Sequence, residues 1–412
     1  MTVNFKKVSF WMITLALTVL MLLIISLILL ASQTNPLTFL DVVFLEPFKN
    51  ISYFSGFLNL FSVLLLVGLA VGITFKYKIY NFGVSGQMLI SAIVTYVIAV
   101  AITNGGGTNR AIVLFLLFIA IIVGTFTGFV IAFLKNYFKI NEIISTILFN
   151  FIAFEGYKGL ITSPNYQNQA MPEILSLRFS LTSGPFSASN LFSAGIIIAV
   201  IILVITILLF NNRTLGFKLN AVAKNPLASK QARIDPNHQM LKVLPISGAI
   251  AGVAGYLYFL STNNSLPKLD SIPQEGFYAI AIAALAFYEP GVMVLSNFIF
   301  TLFIRPINFS SFAYLKNPAI VVVMLGVAVY LMGLFPFVWY LWDQSPFIQE
   351  KWFKIKRKLF KIATPIEEEI PGLERSRKNQ QVETLNINLA GKKDHSRRWH
   401  LKRNKTKEKK KR

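Results

Sequence analysis

The residues of this chain that could act on another molecule are polar side chains set within long apolar stretches. One block, residues 81–87, reads Asn-Phe-Gly-Val-Ser-Gly-Gln and places amides and a hydroxyl beside two glycines. Irregular backbone inside a membrane is tolerated only where it is buried in protein or lines a wet cavity. The block is therefore either an ordinary cap at the end of a membrane helix or part of a solute pathway. Its candidate residues are Asn81, Phe82, Gly83, Gly86 and Gln87.

A second polar group consists of Asn141, Glu142 and Asn150. Asn141 can cap a helix that begins at Glu142, and a carboxylate suits that end of a helix dipole, so structure explains Glu142 as well as function does. Asn150 lies one or two turns deeper and is the better candidate for a hydrogen bond to a solute or to a neighbouring helix. Aromatic residues such as Phe82 could stack on a nucleobase, although each Phe is more often a packing residue.

Glu155 and Lys158 are opposite charges within an apolar stretch. Ionisable groups inside a membrane are costly, so the pair raises the hypothesis of proton coupling. We favour the alternative that the two charges neutralise each other, or extend towards the interface, near the outer end of their helix.

The sequence lacks the residues that several other kinds of chemistry require. No Gly-x-x-x-x-Gly-Lys-Ser/Thr loop is present to bind the phosphates of ATP. His238, His395 and His400 have no cysteine or carboxylate companions at metal spacing, and no nucleophile lies in a catalytic arrangement with them. The chain has no cysteine, which excludes disulfides and thiol chemistry. We expect no enzyme active site, and neither a cofactor nor a metal on this chain.

The elements that must position the polar residues are membrane spans. The 412 residues are 54% hydrophobic and their mean hydropathy is +0.59, which is too apolar for a soluble domain. A run of about twenty apolar residues crosses a bilayer, so the chain is predicted to be an all-α membrane bundle of about ten spans. The predicted spans are Phe10–Ala31, Gly56–Phe75, Val84–Ile102, Ala111–Leu134, Glu142–Ile161, Leu191–Phe210, Val243–Ser261, Gly276–Tyr288, Gly291–Ile304 and Pro318–Trp342.

Charge orients these spans. Ten spans place most Lys and Arg of the loops on one side, which is the cytoplasmic side, together with both termini. Region 276–304 is either two short spans or one kinked helix. Residues 1–350 form the predicted membrane domain, and residues 351–412 form a basic, disordered tail that carries most of the formal net charge of +22. We expect this tail to lie near anionic lipid rather than to bind nucleic acid.

Glycines in the predicted spans are interpreted as packing residues. Gly68 and Gly72, Gly124 and Gly128, and Gly248 and Gly252 each have the four-residue spacing that lets two helices approach closely. None of these three pairs indicates a ligand.

Residues 214–256 contain the one long basic and polar segment between spans. Asn225 can cap a helix whose first residue is Pro226, and the helix is predicted to run over Leu227–Ile234 until Asp235-Pro236 interrupts it. The result would be a short, rigid surface helix between two spans.

The same segment carries a family resemblance. It is similar to the cytoplasmic coupling loop of permease subunits of ABC importers for ribose, branched-chain amino acids and nucleosides. The residues concerned are Gly216, Phe217, Ala221, Val222, Asn225, Pro226 and Ala228, then 246–249, Ala251-Gly252 and Ala254-Gly255.

Three further stretches agree with this resemblance. IYNFGVSGQMLI at 79–90 and GFYAIAIAALAFYEPGVM at 276–293 match family patterns, and NEIISTILFNFIA at 141–153 resembles the nucleoside-type members. The sequence departs from the family in having Ala223 where glycine is usual, in lacking an arginine near Asn220, and in the length of its tail after Trp342. With the resemblance, we favour a role in lining the pathway or supporting a gate for residues 81–87.

The resemblance implies a permease subunit of the plasma membrane that imports a solute, with nucleosides ahead of ribose-type sugars and branched-chain amino acids. It implies cytosolic ABC ATPase subunits, a second related permease and an extracytoplasmic substrate-binding lipoprotein as partners. The coupling residues would be Gly216, Phe217, Ala221, Asn225, Pro226 and Ala228, and Gly248, Gly252 and Gly255 would pack the helices that move. A proton-coupled secondary carrier and a membrane insertase or scaffold are the alternatives.

Overall fold

The computed structural model describes residues 41–103, 110–163, 195–211, 214–262 and 268–308, with short pieces between 19 and 37, at 178–179 and 192–193, and between 326 and 338. The chain divides into two units, Met1–Pro336 and Phe337–Arg412. The helices and strands described below belong to the first unit. The predicted tail lies outside the described residues, so its disorder and the boundary at residue 350 stay predictions.

The described architecture is helical, as predicted, except for one small strand pair. In β1 and β2, Arg178 pairs with Ser193 and Phe179 with Phe192 in antiparallel register. A π-helical turn, Asp41–Leu45, precedes the helix that begins at Glu46, and a second one, Tyr256–Thr262, extends the helix that ends at Gly255. The elements are α1 (Glu46–Lys49), α2 (Ile51–Lys76), α3 (Val84–Thr103), α4 (Arg110–Phe138), α5 (Glu142–Thr162), β1 (Arg178–Phe179), β2 (Phe192–Ser193), α6 (Gly195–Asn211), α7 (Thr214–Lys224), α8 (Pro226–Gln231), α9 (Pro236–Gly255), α10 (Glu275–Leu285) and α11 (Pro290–Asn308).

Four of the described helices are long and apolar enough to cross a membrane: Tyr53–Lys76, Val84–Ile102, Ala111–Phe138 and Pro236–Phe259. A fifth is added if the bent pair α6 and α7 counts as one span. The chain is therefore a membrane protein with several spans. The predicted span at 142–161 forms α5, whose 21 residues are long enough but less apolar. Half of the predicted first span and most of the predicted last span lie outside the described residues, so the number ten stays a prediction.

Region 276–304 forms two helices, α10 and α11, and not one kinked helix. Ser296 Oγ donates a hydrogen bond to Ile282 O at 2.9 Å, so α11 folds back along α10. The turn between them contains Phe287 and Tyr288, whose φ angles of 51° and 59° cannot continue a right-handed helix. The 11 residues of α10 extend about 16 Å, which is roughly half of the apolar core of a bilayer.

Helices α4 and α9 are in direct backbone contact through glycines. A Cβ added at Gly124 would collide with the backbone oxygen of Gly248, and one added at Gly128 would collide with that of Leu244. Gly252 lies in the same way against Ala120 O. Further along α9, Gly255 lies against Met88 O of α3. Backbone therefore packs directly on backbone along α9.

Helix α2 is the central element of the bundle, and it contacts α6, α9, α10 and α11. Gly68 packs against Ile282, and Gly72 lies against Met293. Asn297 Nδ2 of α11 donates to Phe61 O at 2.8 Å. The predicted glycine pairs thus lie at helix contacts on α2, α4 and α9.

The ends of α2, α4 and α6 and the start of α9 lie at one end of the bundle, here called the basic end. Tyr77 OH donates to Phe210 O at 3.3 Å, which joins the ends of α2 and α6. Asn136 Nδ2 donates to Asn237 O at 2.8 Å, which joins the end of α4 to the start of α9. Because α7 and α8 connect α6 to α9, they lie at this end too.

The contact between α4 and α9 gives a prediction about stability. Gly248→Ala places a methyl group against the backbone of Gly124 and is expected to cost about 1–3 kcal/mol, because a well-packed contact must open. Gly291→Ala is the matched control, since no described atom of another element lies within 4 Å of its added Cβ. Thermal unfolding in detergent measures both variants, and an equal melting temperature for the two would contradict the prediction.

Candidate functional site

The block 81–87 is buried and ties three helices together. Asn81 Nδ2 donates to Ser247 Oγ of α9 at 2.9 Å and to Gln87 Oε1 of α3 at 3.1 Å. Ser247 Oγ donates in turn to Ala70 O of α2 at 2.6 Å. Asn81 Oδ1 accepts from Gly83 N at 3.0 Å, which fixes the turn that leads into α3. The amide of Asn81 therefore acts as a junction of α2, α3 and α9.

Asn150 attaches α5 to the same block. Its Oδ1 accepts from Gly86 N at 2.8 Å, and its Nδ2 donates to Phe82 O at 2.8 Å. Phe82 N donates to Thr146 Oγ1 at 3.4 Å. A Cβ added at Gly86 would lie only 2.9 Å from Asn150 Cα, so glycine permits this approach. Of the two roles considered for Asn150, the hydrogen bond to a neighbouring segment is the one observed.

Gln87 is the residue of the block whose side-chain N–H groups have no hydrogen-bond partner among the described residues. Its side chain is fully buried. Phe82 is partly buried, and its ring packs beside Phe75 with the centroids 5.3 Å apart. Direct solute contact by Asn81, Phe82, Gly83, Gly86 or Gln87 stays a prediction.

Asn141 and Glu142 lie at the basic end. Asn141 Oδ1 accepts from Ile143 N at 2.8 Å and caps α5. Glu142 forms an ion pair with Lys135 at 2.5 Å, which links the start of α5 to α4. Both contacts are structural, which is one of the two roles considered for these residues. A role in the solute pathway stays a prediction.

Helices α7 and α8 lie where the sequence predicts a short surface helix between two spans, but their boundaries differ from the predicted ones. Asn225 Oδ1 accepts from Leu227 N and from Ala228 N, each at 3.1 Å, and Pro226 starts α8. The predicted helix end at Ile234 is wrong, because α8 ends at Gln231 and Arg233 takes a φ of 60°.

The upstream helix α7 was missed. Its buried residues, Gly216, Leu219 and Val222, recur every three residues, so its core-facing side was readable as a helical pattern. A Cβ at Gly216 would collide with Phe210 O, so glycine lets α7 fold back tightly on the end of α6. The start of α7 is thereby in direct contact with the end of α6.

The exposed residues of α7 and α8 include two large apolar side chains and several cations. Phe217 and Leu227 are 71% and 77% exposed. Pro226 and Ala228 are also exposed, and Ala221 is partly buried. The exposed cations of these helices and of the turn after α8 are Lys218, Lys224, Lys230 and Arg233. We call these residues the α7–α8 surface. Large exposed apolar side chains rimmed by charge indicate a site of protein contact.

Tyr77 ties this surface to the centre of the bundle. Burial raises the pKa of its hydroxyl to about 12, and the charge of Glu289 acts in the same direction. The group therefore stays protonated at physiological pH and can donate its hydrogen bond to Phe210 O, the atom that Gly216 also packs against.

Glu155 and Lys158 form an ion pair at 2.6 Å. Lys158 Nζ lies 4.8 Å from the ring centre of Phe154. The pair lies on the exposed side of α5, with 66% of the Glu155 side chain and 44% of the Lys158 side chain exposed.

Comparison with known proteins gives a consistent picture. The model of the family described as branched-chain amino acid transport system / permease component matches residues 53–333. A nucleoside ABC transporter permease protein, NupB of Lactococcus lactis subsp. cremoris, is 26% identical over 275 residues, which are 64% of this chain and 75% of that protein.

Two other relatives are named for the transport of guanosine and of glucose. The guanosine ABC transporter permease protein NupP of Bacillus subtilis is 28% identical over 284 residues, 68% of this chain and 80% of that protein. The glucose ABC transporter permease protein TsgB13 of Haloferax volcanii is 27% identical over 270 residues, 62% of this chain and 70% of that protein. No solved structure matches significantly.

The junction at Asn150 can be tested by mutation. Asn150→Ala leaves Gly86 N–H and Phe82 C=O buried without their observed partners, and each such group costs about 1–3 kcal/mol. We expect a clear fall in melting temperature and in the yield of folded protein. Ser145→Ala is the control on the same helix, because the Ser145 hydroxyl donates to the backbone of its own helix. Equal stability of the two variants would show that the junction is dispensable.

Proposed function

Because the chain belongs to the family of permease components of branched-chain amino acid transport systems, we propose that it is the membrane subunit of an ATP-driven importer whose solute is a nucleoside. As a permease component it is a transport subunit and not an enzyme. ATP hydrolysis would take place on separate cytosolic ABC ATPase subunits, and this chain would need no cofactor of its own.

The nucleoside assignment is supported by two relatives that are named for nucleoside and guanosine transport, each matched over at least three quarters of its length. The relative named for glucose transport keeps sugars as the second choice of solute. Branched-chain amino acids are a further candidate solute, because the family description names them.

The α7–α8 surface is the single observation that best supports coupling to an ATPase. Phe217 and Leu227 expose large apolar side chains at the basic end, where membrane lipid is not expected to cover them. The positive-inside rule places this end in the cytoplasm, together with both termini. A partner with an apolar pocket and an acidic rim would complement the surface. We assign that partner to the motor subunits.

The contacts described above provide a route from this surface to the polar block. A push on α8 reaches α7 and, through Gly216 against Phe210, the end of α6. It also reaches α9, which starts immediately beyond α8 and is capped by Asp235. Helix α9 carries Ser247, the hydrogen-bond partner of Asn81, and the glycine contacts with α4. Movement of α9 would therefore shift the block 81–87.

The remaining parts of the assembly follow from the family assignment. A second permease subunit would complete the pathway, and an extracytoplasmic lipoprotein would deliver the solute to the outer loops, especially around residues 162–190. The complex would reside in the plasma membrane with about ten spans in this chain.

The proposal is tested by purifying the chain in mild detergent and measuring ATP hydrolysis by any co-purified subunit with and without nucleoside. We expect an ATPase to co-purify and to be stimulated by nucleoside. A chain that purifies without an ATPase and transports on a pH gradient alone would contradict the proposal.

The cap of α8 gives a prediction about coupling. Asn225→Ala removes the acceptor for two backbone N–H groups and costs about 1 kcal/mol of helix stability, so nucleoside should stimulate ATP hydrolysis less. Asn225→Asp is the matched control, because aspartate caps equally well. The ratio of stimulated to basal ATPase activity is the measurement, and equal loss in both variants would argue against the cap.

The exposed apolar pair gives a prediction about assembly. Replacing Phe217 and Leu227 together by serine removes the large apolar side chains of the α7–α8 surface and should reduce the ATPase that co-purifies at least severalfold. Ile140→Ser is the control, since Ile140 is another exposed apolar residue at the basic end, outside α7 and α8. Unchanged co-purification of the double variant would place the motor contact elsewhere.

A further inference from the structure

The exposed side of α5 has a composition that packing within this chain does not explain. The helix buries one face, formed by Thr146, Asn150, Ala153, Phe154 and Tyr157. Glu155 and Lys158 lie away from that face and are largely exposed. Gly156 and Gly159 are exposed as well, and no described atom of another element lies within 4 Å of a Cβ built on either.

The contacts of α5 place this polar region at membrane depth. Gly86 N bonds Asn150 Oδ1, and the ring centroids of Tyr157 and Phe259 are 5.7 Å apart. Gly86 belongs to the apolar span Val84–Ile102, and Phe259 is the last residue of the span Pro236–Phe259. Glu155 lies between these two contacts along α5 and about 10 Å before the helix ends at Thr162, so its charge lies within the span. The expectation that the pair lies near the outer end of the helix stays a prediction.

The outward side of α5 changes character along its length. Ile144, Leu148 and Ile152 form a stripe of large exposed apolar residues in the first half of the helix. At the same helical spacing the stripe continues with Glu155 and Gly159. Lipid would be a poor neighbour for this second half, because an ionised pair facing hydrocarbon is costly and intramembrane charges generally face a wet cavity.

We propose that the Glu155–Lys158 pair and the open surface of Gly156 and Gly159 form a solute-binding site on the transport pathway, closed on its other side by the second permease subunit. This inference rests on the proposed function, because it assigns the site to the nucleoside. The vicinal hydroxyls of the ribose donate to the Glu155 carboxylate. Lys158, 2.6 Å away, orients that carboxylate.

The neighbouring residues fit the rest of a nucleoside. Phe151 lies one helical turn before Glu155 and is exposed, so its ring offers an apolar face on which a base can stack. Gly156 and Gly159 leave the space that a ribose needs beside the carboxylate. Dry contact with a second helix is the competing explanation, but it would desolvate both charges. A wet pathway leaves them hydrated between transport cycles.

The first test uses the absence of cysteine from the native chain. Gly156→Cys is introduced into the assembled transporter in membrane vesicles and treated with a water-soluble thiosulfonate, with labelling read on this chain alone. We expect labelling, slowed at least fivefold by saturating guanosine. Phe118→Cys is the control, because Phe118 is exposed on α4 about as far from that helix's outer end, and it should not react.

The outcomes of this test are distinct. Protection by guanosine supports the site. Labelling without protection indicates a wet surface that does not hold the solute, and absence of labelling indicates a dry contact; either result overturns the proposal.

The second test measures uptake. Glu155→Gln should raise the KM for guanosine at least tenfold while co-purification of the ATPase is unchanged, and Glu155→Asp should raise it less, because a charged acceptor is retained. An unchanged KM in Glu155→Gln overturns this site and leaves the proposed function intact. Failure of the unsubstituted transporter to take up any nucleoside would instead refute the proposed function. If Glu155→Gln does not assemble, labelling of Gly156→Cys decides.

Discussion

The need to satisfy polar groups inside the membrane is the constraint on which the rest of this structure depends. The block 81–87 interrupts helical hydrogen bonding between α2 and α3, where water is not freely available to replace it. Asn81 and Asn150 supply the missing partners, and in doing so they bind α2, α3, α5 and α9 to one another. The non-helical block 81–87 is therefore the point at which α2, α3, α5 and α9 are joined by hydrogen bonds.

This junction also explains how a surface element can influence the centre of the bundle. Helix α9 is attached to the block through Ser247 and to α4 through direct backbone contact at Gly248 and Gly252. At Gly124 and Gly248 this contact is backbone on backbone, so a shift of α9 would displace α4. The rigid connection suits a protein in which force generated outside the membrane changes access within it.

Local patterns in the sequence allowed one part of the candidate site to be predicted. The cap at Asn225 and the start of α8 at Pro226 involve groups within three residues of each other, so the residue types suffice. The end of α8 was missed because Arg233 adopts a left-handed conformation that its residue type does not indicate. Helix α7 was not predicted, although its buried residues Gly216, Leu219 and Val222 recur at helical spacing.

The sequence by itself determined that this chain is a helical membrane protein, because apolar run length and composition depend only on residue order. Only the tertiary structure decided which groups satisfy the buried amides, since Asn81 and Ser247 are 166 residues apart. It also decided that region 276–304 folds into two helices and that Glu155 lies on an open face. Those outcomes depend on which helices become neighbours, and residue order alone does not specify the partners of a given helix face.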